Sequence, residues 1–402
     1  MNGCADIVSS AALPGSAACC GCGACRAVCP VGAITMKPDK EGFLRPAVDA
    51  AKCVNCGKCA SVCPVLHPGP KREPLAVYAA KAKDDELRRG SASGGVFTVL
   101  AQATLKRGGV VFGAGFDHRD WRVVHKAARN EEELDDLRGS KYVQSDMGDV
   151  YVEVKRELDL GREVLFSGCP CQIAALKRYL GREYPNLLTV DLVCHGVPSP
   201  LAWRKYLDDR EREAKGKISR ILARRYCAWR EYAISLAFDN ASDIAYSEKV
   251  EHDPYMQSFM RFWGLRKSCF GCRFRNFASG SDLTLGDYGN IDETHPEFVD
   301  GRGISVVMEN TAHGAAVYRI AAEEFVSLSM TLADICRINT AIFKSHPQPR
   351  FRPIFYPTIV EDGFDAGVKR ILDRRQTPLM HHLLWWLKRL VINHELNRIK
   401  LR

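Results

Sequence analysis

The chain has 402 residues, 46% of them hydrophobic, with 17 cysteines and a formal charge of +9. That is enough apolar material for two or three ordinary cores, and no run of 18 uncharged apolar residues offers a membrane span. Residues 343–402 hold 12 Lys or Arg against 5 Asp or Glu, so most of the excess charge lies in the last segment and the body offers no basic working face for nucleic acid.

Residues 1–16 are small and polar, a frayed leader by composition. With no basic-then-apolar signal stretch and this many cysteines, a reducing, cytoplasmic setting is expected. The next stretch organises the rest. Cys-Cys-Gly-Cys-Gly-Ala-Cys-Arg-Ala-Val-Cys-Pro at 19–30 and Cys-Val-Asn-Cys-Gly-Lys-Cys-Ala-Ser-Val-Cys-Pro at 53–64 both read C-x2-C-x2-C-x3-C-P, the bacterial ferredoxin pattern for two 4Fe-4S clusters. Every ligand recurs 34 residues on, so one half-module is duplicated. Within each run three cysteines hold one cluster and the fourth crosses to the other. This assigns Cys19, Cys22, Cys25 and Cys63 to one cluster, and Cys53, Cys56, Cys59 and Cys29 to the second. A zinc ribbon would use four cysteines in two C-x2-C pairs, not eight in this order. Cys20 falls off the spacing and reads as packing. This module, 1–66, ends at a linker, 67–75, whose prolines and glycine forbid helix and ladder alike.

A mixed α/β body follows, in two parts, 76–158 and 159–342. A strand at 77–81 leads to Ser91-Ala-Ser-Gly-Gly95 and an apolar helix reaching 106. The N–H groups of such a helix start suit a phosphate, or the serines are simply a cap. Strands at 109–116 and 122–127, an acidic helix and the loop 139–145 come next; Lys141 in that loop would neutralise a phosphate or face solvent. The strand 163–167, the turn Gly168-Cys-Pro-Cys-Gln172, the helix 173–180 and the strand 187–193 read as successive α/β units, whose sites gather at strand carboxyl ends. Then come a helix at 199–214, β-rich segments at 218–226 and 232–238, a helix at 254–263, the pair Cys269 and Cys272, a strand at 282–289 and a strand-helix unit at 303–309 and 312–324. The fold class is thus a small duplicated ferredoxin module, a mixed α/β body and a helical C-terminal tail at 343–402. In that tail Met380, Leu383, Leu384, Leu387 and Val391 recur at helical spacing, giving a face for the protein's own body, a partner or an anionic membrane surface.

Cys171, Cys194, Cys269 and Cys272 come from one turn, one strand end and one C-x2-C pair, the inventory of a third 4Fe-4S cluster. The same four thiols suit a structural zinc or inert burial, and Cys169 with Cys171 suits a dithiol. Cys4, Cys227 and Cys336 show no partner pattern. His195, next to Cys194, reads either as an acid or base or as a structural imidazole.

Together Ser-x-Ser-Gly-Gly at 91–95, Gly-Gly-Val-Val-Phe-Gly at 108–113, Ser-Lys-Tyr-Val-Gln-Ser at 140–145, Gly-Cys-Pro-Cys-Gln at 168–172, Val-Cys-His-Gly-Val-Pro-Ser-Pro at 193–200, Cys-x2-Cys at 269–272 and Thr-Leu-Gly-Asp-Tyr at 284–288 resemble the family of beta subunits of coenzyme F420 hydrogenases and dehydrogenases. The resemblance covers about 76–325. It implies an iron-sulfur flavoprotein oxidoreductase that passes electrons between 4Fe-4S clusters and FAD, and on to or from a deazaflavin or other organic two-electron substrate. Cofactor contacts are then expected at Ser91, Ser93, Gly94, Gly95, Lys141 and Gln144, catalytic roles at His195, Lys141 and Asp287, and the third cluster at Cys171, Cys194, Cys269 and Cys272. Two departures stand out: Cys169 replaces the family's frequent threonine, and Gly289 replaces a frequent tryptophan. The alternative is an electron-relay subunit that docks on a partner enzyme and has no substrate chemistry of its own.

Overall fold

The computed structural model describes residues 13–224, 233–241, 243–289 and 291–374. The leader up to residue 12, Cys4, Cys227 and the amphipathic segment from 377 lie outside them. In the ferredoxin module the duplication recurs in the backbone. Helices Ala24–Ala27 and Lys58–Ser61 each follow a left-handed glycine, Gly23 at φ 77° and Gly57 at φ 71°, a conformation free of Cβ strain only for glycine. Between them β1 (Ile34–Pro38) and β2 (Leu44–Val48) form an antiparallel hairpin.

The body adds β3 (Ala76–Ala82), β4 (Val110–Phe116), β5 (Val123–Ala128), β6 (Val164–Gly168), β7 (Leu187–Leu192), β8 (Ile218–Ala223), β9 (Ile234–Phe238), β10 (Ile244–Glu248), β11 (Leu283–Asp287), β12 (Ser305–Glu309) and β13 (Phe325–Met330). Eight of these make one sheet in the order β13-β3-β12-β11-β7-β6-β4-β5. Strands β11, β7, β6 and β4 are parallel, and β3 shares their direction because both it and β11 pair antiparallel with β12. Five carboxyl ends therefore face one edge. The stretches 76–158 and 159–342 both supply strands to this sheet.

Strands covered on both faces read as continuous apolar runs: β12 is buried throughout, whereas β13, at one end of the sheet, is fully buried only at Phe325. On one face, helices Val150–Asp159 and Pro170–Leu180 bury Tyr151 and Ile173 in the same core as Cys22, Val62 and Val65 of the ferredoxin module. On the other, Leu100, Leu134 and Tyr318 close a second core.

Strands β8, β9 and β10 form a separate antiparallel sheet. Around it pack the first helices of the stretch expected as a basic helical tail from 343. Arg352–Asp362 and Phe364–Asp373 are body helices, and Phe355, Ile359, Phe364 and Val368 share a core with Trp203, Tyr206 and the ferredoxin residue Phe43. Apolar residues four apart set the inward face of each helix whatever the net charge of its outer face. Among the described residues no helix is long and apolar enough to cross a membrane.

Candidate functional site

The cysteines of the two repeated runs fall into two environments. Cys19, Cys22, Cys25 and Cys63 are buried, while Cys29, Cys53 and Cys59 are half-buried and Cys56 is exposed. The first set is packed toward the body and the second faces outward. Val54, beside Cys53, is 61% exposed.

Next to the buried set, a cavity of about 290 Å³ lies at the carboxyl ends of β6 and β7. Its wall carries six thiols: Cys20, Cys169, Cys171, Cys194, Cys269 and Cys272. The Gly168-to-Gln172 turn is set from behind. Gln172 Oε1 accepts from the Cys169 N–H at 2.8 Å, Gln172 Nε2 donates to Ser145 Oγ at 2.9 Å, and Ser145 Oγ bonds His125 Nδ1 at 2.8 Å. His125 Nε2 in turn meets the Ser167 carbonyl at 3.0 Å. Cys194 and His195 follow the end of β7, and Cys269 sits on the 3-10 turn Lys267–Gly271 with Cys272 just after it.

The thiols sort by neighbour. Cys169 donates to Cys194, which holds Cys194 below the usual thiol range and Cys169 above it. Cys171 donates to Cys20, so the residue read as packing belongs to the cavity wall, facing the body thiols. Burial pushes Cys269 up to about 12 and Cys272 to about 11. Such thiols ionise at neutral pH only when a bound cation compensates them.

Among the described residues no three Cys, His, Asp or Glu groups converge as a single metal ion requires; the thiols surround a space. On that wall Arg275 is 8% exposed, gives its Nε to Ser345 Oγ at 3.1 Å, and keeps Nη1 buried with no partner among the described residues. A buried guanidinium with an unused donor, facing thiols, fits an anionic occupant such as a cluster on four thiolates.

Farther along the same edge, Asp287 at the end of β11 pairs with Arg224, and opposite it Ser305 Oγ accepts the Gly94 N–H at 2.9 Å. Ser93 Oγ donates to the Ile304 carbonyl at 2.9 Å, and Ser91 Oγ to that of Leu87 at 2.8 Å. A Cβ on Gly94 would stand 2.3 Å from the Ala80 carbonyl oxygen, so this glycine is required by strand packing. Gly95, left-handed at φ 85°, caps the helix Val96–Lys106. Lys141 Nζ donates to the Arg138 carbonyl at 2.6 Å and lies 5.9 Å from the Phe116 ring at the end of β4. His195 Nδ1 is 3.3 Å from His346 Nε2; burial, then His346 and Arg275, push His195 down to about 4, leaving a neutral imidazole at pH 7.

Gln144, expected at the cofactor, lies at the seam between ferredoxin module and body. Its Nε2 donates to the Cys20 carbonyl and its Oε1 accepts from Arg266 Nη1, each at 2.8 Å, so its amide is spent at the ferredoxin seam. Sequence reading missed Arg266, Arg275 and His125. A signal was present in Arg266-x2-Cys269-x2-Cys272-x2-Arg275, where two cations bracket the thiol pair.

Residues 18–66 match a 4Fe-4S dicluster domain model, 77–151 the N-terminal model of the coenzyme F420 hydrogenase/dehydrogenase beta subunit, and 161–330 the C-terminal one. The chain is similar to a component of the F(420)H(2) dehydrogenase of Methanosarcina mazei, 29% identical over 190 residues, which are 44% of this chain and 53% of that protein. It thus spans about half the length of this curated relative. Among solved structures, a chain of the xenon-derivatised F420-reducing NiFe hydrogenase complex of Methanosarcina barkeri aligns with a TM-score of 0.48 and 17% identity, over 68% of this chain and 90% of that one.

Proposed function

We propose that this chain, which belongs to the family of beta subunits of coenzyme F420 hydrogenases and dehydrogenases and carries a dicluster 4Fe-4S domain, is an iron-sulfur flavoprotein oxidoreductase linking one-electron carriers to a deazaflavin or other organic two-electron substrate. The observation that carries the reading is the succession of cysteines from exposed Cys56, through the buried set at Cys19 to Cys25, to the half-buried body thiols around the cavity at the sheet edge. When bound, clusters supply single-electron steps and a flavin supplies the conversion to pairs.

The protein's own residues make the rest of the case. Cys194, Cys269 and Cys272 would hold a third cluster, with the fourth ligand from the turn bearing Cys169 and Cys171; Arg275 balances its charge. FAD would lie along the carboxyl edge of the sheet, where doubly wound folds bind their ligands. Since Ser93 and Gly94 are already engaged, the seat left for a phosphate is the amide end of Val96–Lys106. Asp287, paired with Arg224, and the neutral imidazole of His195 stand on the same edge as the thiols. Outward-facing Val54, flanked by Lys52 and Lys58, suits docking of a redox partner protein. The curated relative is itself one component of a dehydrogenase, which favours such docking even where substrate turnover is added.

Anaerobic purification followed by iron, zinc and flavin quantification tests the reading. About twelve irons and one FAD per chain are expected. About eight irons, zinc in the cavity, or an absence of flavin would overturn it in the corresponding part.

A further inference from the structure

Arg266 is 1% exposed and fills the seam between ferredoxin module and body. Its Nε donates to the Cys19 carbonyl at 2.8 Å, Nη1 to Gln144 Oε1 at 2.8 Å, and Nη2 to the Leu44 carbonyl at 3.0 Å and to Cys19 Sγ at 3.8 Å. The guanidinium lies 5.2 Å from the Phe43 ring centroid. Every oxygen it touches is neutral. Two other buried arginines behave differently: Arg88 takes both oxygens of Asp300 and Arg352 both oxygens of Glu41. A guanidinium withdrawn from water needs an anion, and for Arg266 the group in place to supply one is the sulfur of Cys19.

The ligand loop is shaped to this cation. A Cβ on Gly21, at φ 71°, would lie 2.6 Å from Arg266 Nη1 and 2.7 Å from its Cζ, so the guanidinium rests on that peptide. Between the duplicated runs, Cys20-Gly21 corresponds to Val54-Asn55. Asn55 adopts a similar left-handed φ of 52°, and Val54 is exposed. The two halves thus share a backbone conformation and differ in side chains at the two positions that meet Arg266 and the cavity. Among the described residues the first ligand of the inner run meets buried cations, Arg266 at its sulfur and Arg45 at its carbonyl at 3.1 Å, whereas Cys53 Sγ of the outer run meets Asn55; Arg266 is the one on the sulfur, and it is held three residues before Cys269.

We propose that Arg266 is a positioning and charge-balancing residue for the inner cluster: by donating to Cys19 Sγ it raises that cluster's reduction potential above that of the outer one, so that an electron entering at the exposed cluster is drawn toward the body. The inference rests on the dicluster reading of Cys19 to Cys63. A cation near a cluster stabilises its reduced, more negative form, as hydrogen bonds to the sulfurs also do. The asymmetry between two otherwise matched clusters then has a physical source in the body, outside the duplicated module.

The test is a potentiometric titration of the full-length, anaerobically purified holoprotein, followed by electron paramagnetic resonance of the reduced clusters, for wild type, Arg266→Gln, Arg266→Lys and Gly21→Ala. In Arg266→Gln the inner cluster should be at least about tenfold more oxidised at a fixed poise, about 59 mV for a one-electron couple, with the outer cluster unmoved. Arg266→Lys should recover part of the shift because it keeps the charge. Gly21→Ala, which pushes the guanidinium off the loop, should move the inner cluster the same way by less. Loss of the inner signal alone, with the outer one kept, also supports the pairing. Full iron with an unmoved inner potential overturns it, as does an equal shift of both clusters or joint loss of both signals. Wild-type protein lacking two ferredoxin-type signals would instead defeat the dicluster reading.

Discussion

Replacing Glu41 with Gln should loosen the ferredoxin module from the body without touching a cysteine. The hairpin turn before β2 carries Glu41 onto helix Arg352–Asp362, where Arg352 Nη1 and Nη2 donate to its two oxygens at 3.0 and 2.6 Å while Nε donates to the Leu265 carbonyl at 2.8 Å. The side chains are 1% and 13% exposed. Breaking such a pair from one side leaves an uncompensated buried charge and costs about 3–5 kcal/mol. Because Gln keeps one acceptor and the site is not wholly dry, the low end, about 3 kcal/mol, is expected. At roughly 2 °C per kcal/mol for a chain of this size, the midpoint should fall by roughly 6 °C. Thermal melts of the anaerobic holoprotein by tryptophan fluorescence can follow it, since Trp203 and Trp263 share the core into which neighbouring Phe43 inserts. Adding Arg352→Met should restore part of the loss, because the stranded charge is then removed as well. Iron content should hold. A midpoint within about 1 °C of wild type, or strictly additive single changes, would refute the argument that Arg352 depends on Glu41.

Three further outcomes follow from the same geometry. Cys272→Ala should lose about four irons, and of Cys169→Ser and Cys171→Ser one should lose the same number and the other none; full iron in all three would remove the cavity cluster. His125 is pushed down to about 4 by burial from an ordinary 6.5, so it folds neutral: its contribution to stability is intact above pH 6.5 and is lost as pH falls toward 4. Denaturant titrations should show roughly 2 kcal/mol less stability from this group at pH 5 than at pH 7.5, and an unchanged pH slope in His125→Gln would contradict this. Excised residues 13–66 should surrender iron to a chelator faster than the full chain, because Phe43, 0% exposed in the whole protein, would face water; equal rates would show the module to be self-sufficient.

Much of the wiring was legible from spacing. Eight ligands in two C-x2-C-x2-C-x3-C-P runs are a local covalent pattern, and the strand-turn-helix around Gly168-Cys-Pro-Cys-Gln172 follows from short-range periodicity, so β6, its helix and β7 appear within a residue or three of where they were expected. The convergence of Cys194 with the pair at Cys269 and Cys272 was guessable as an inventory. Composition marks 343–402 as a basic helical stretch, and only packing shows that Phe355, Ile359, Phe364 and Val368 of its first part lie in a core.

Sequence by itself determined the match of 18–66 to a 4Fe-4S dicluster domain, because cysteine spacing along a chain is a local covalent pattern. Tertiary structure decided which of the two matched runs is inner and which is outer, that Cys20 faces the body's thiols, that Gln144 serves the seam, and that Arg266 has Cys19 where Arg88 and Arg352 have a carboxylate. Those relations join residues more than a hundred positions apart, and no local period encodes them. They exist only once the packing of the module on the sheet edge has buried one cluster loop, left its twin in solvent, and so given two copies of one sequence motif different electrostatic surroundings.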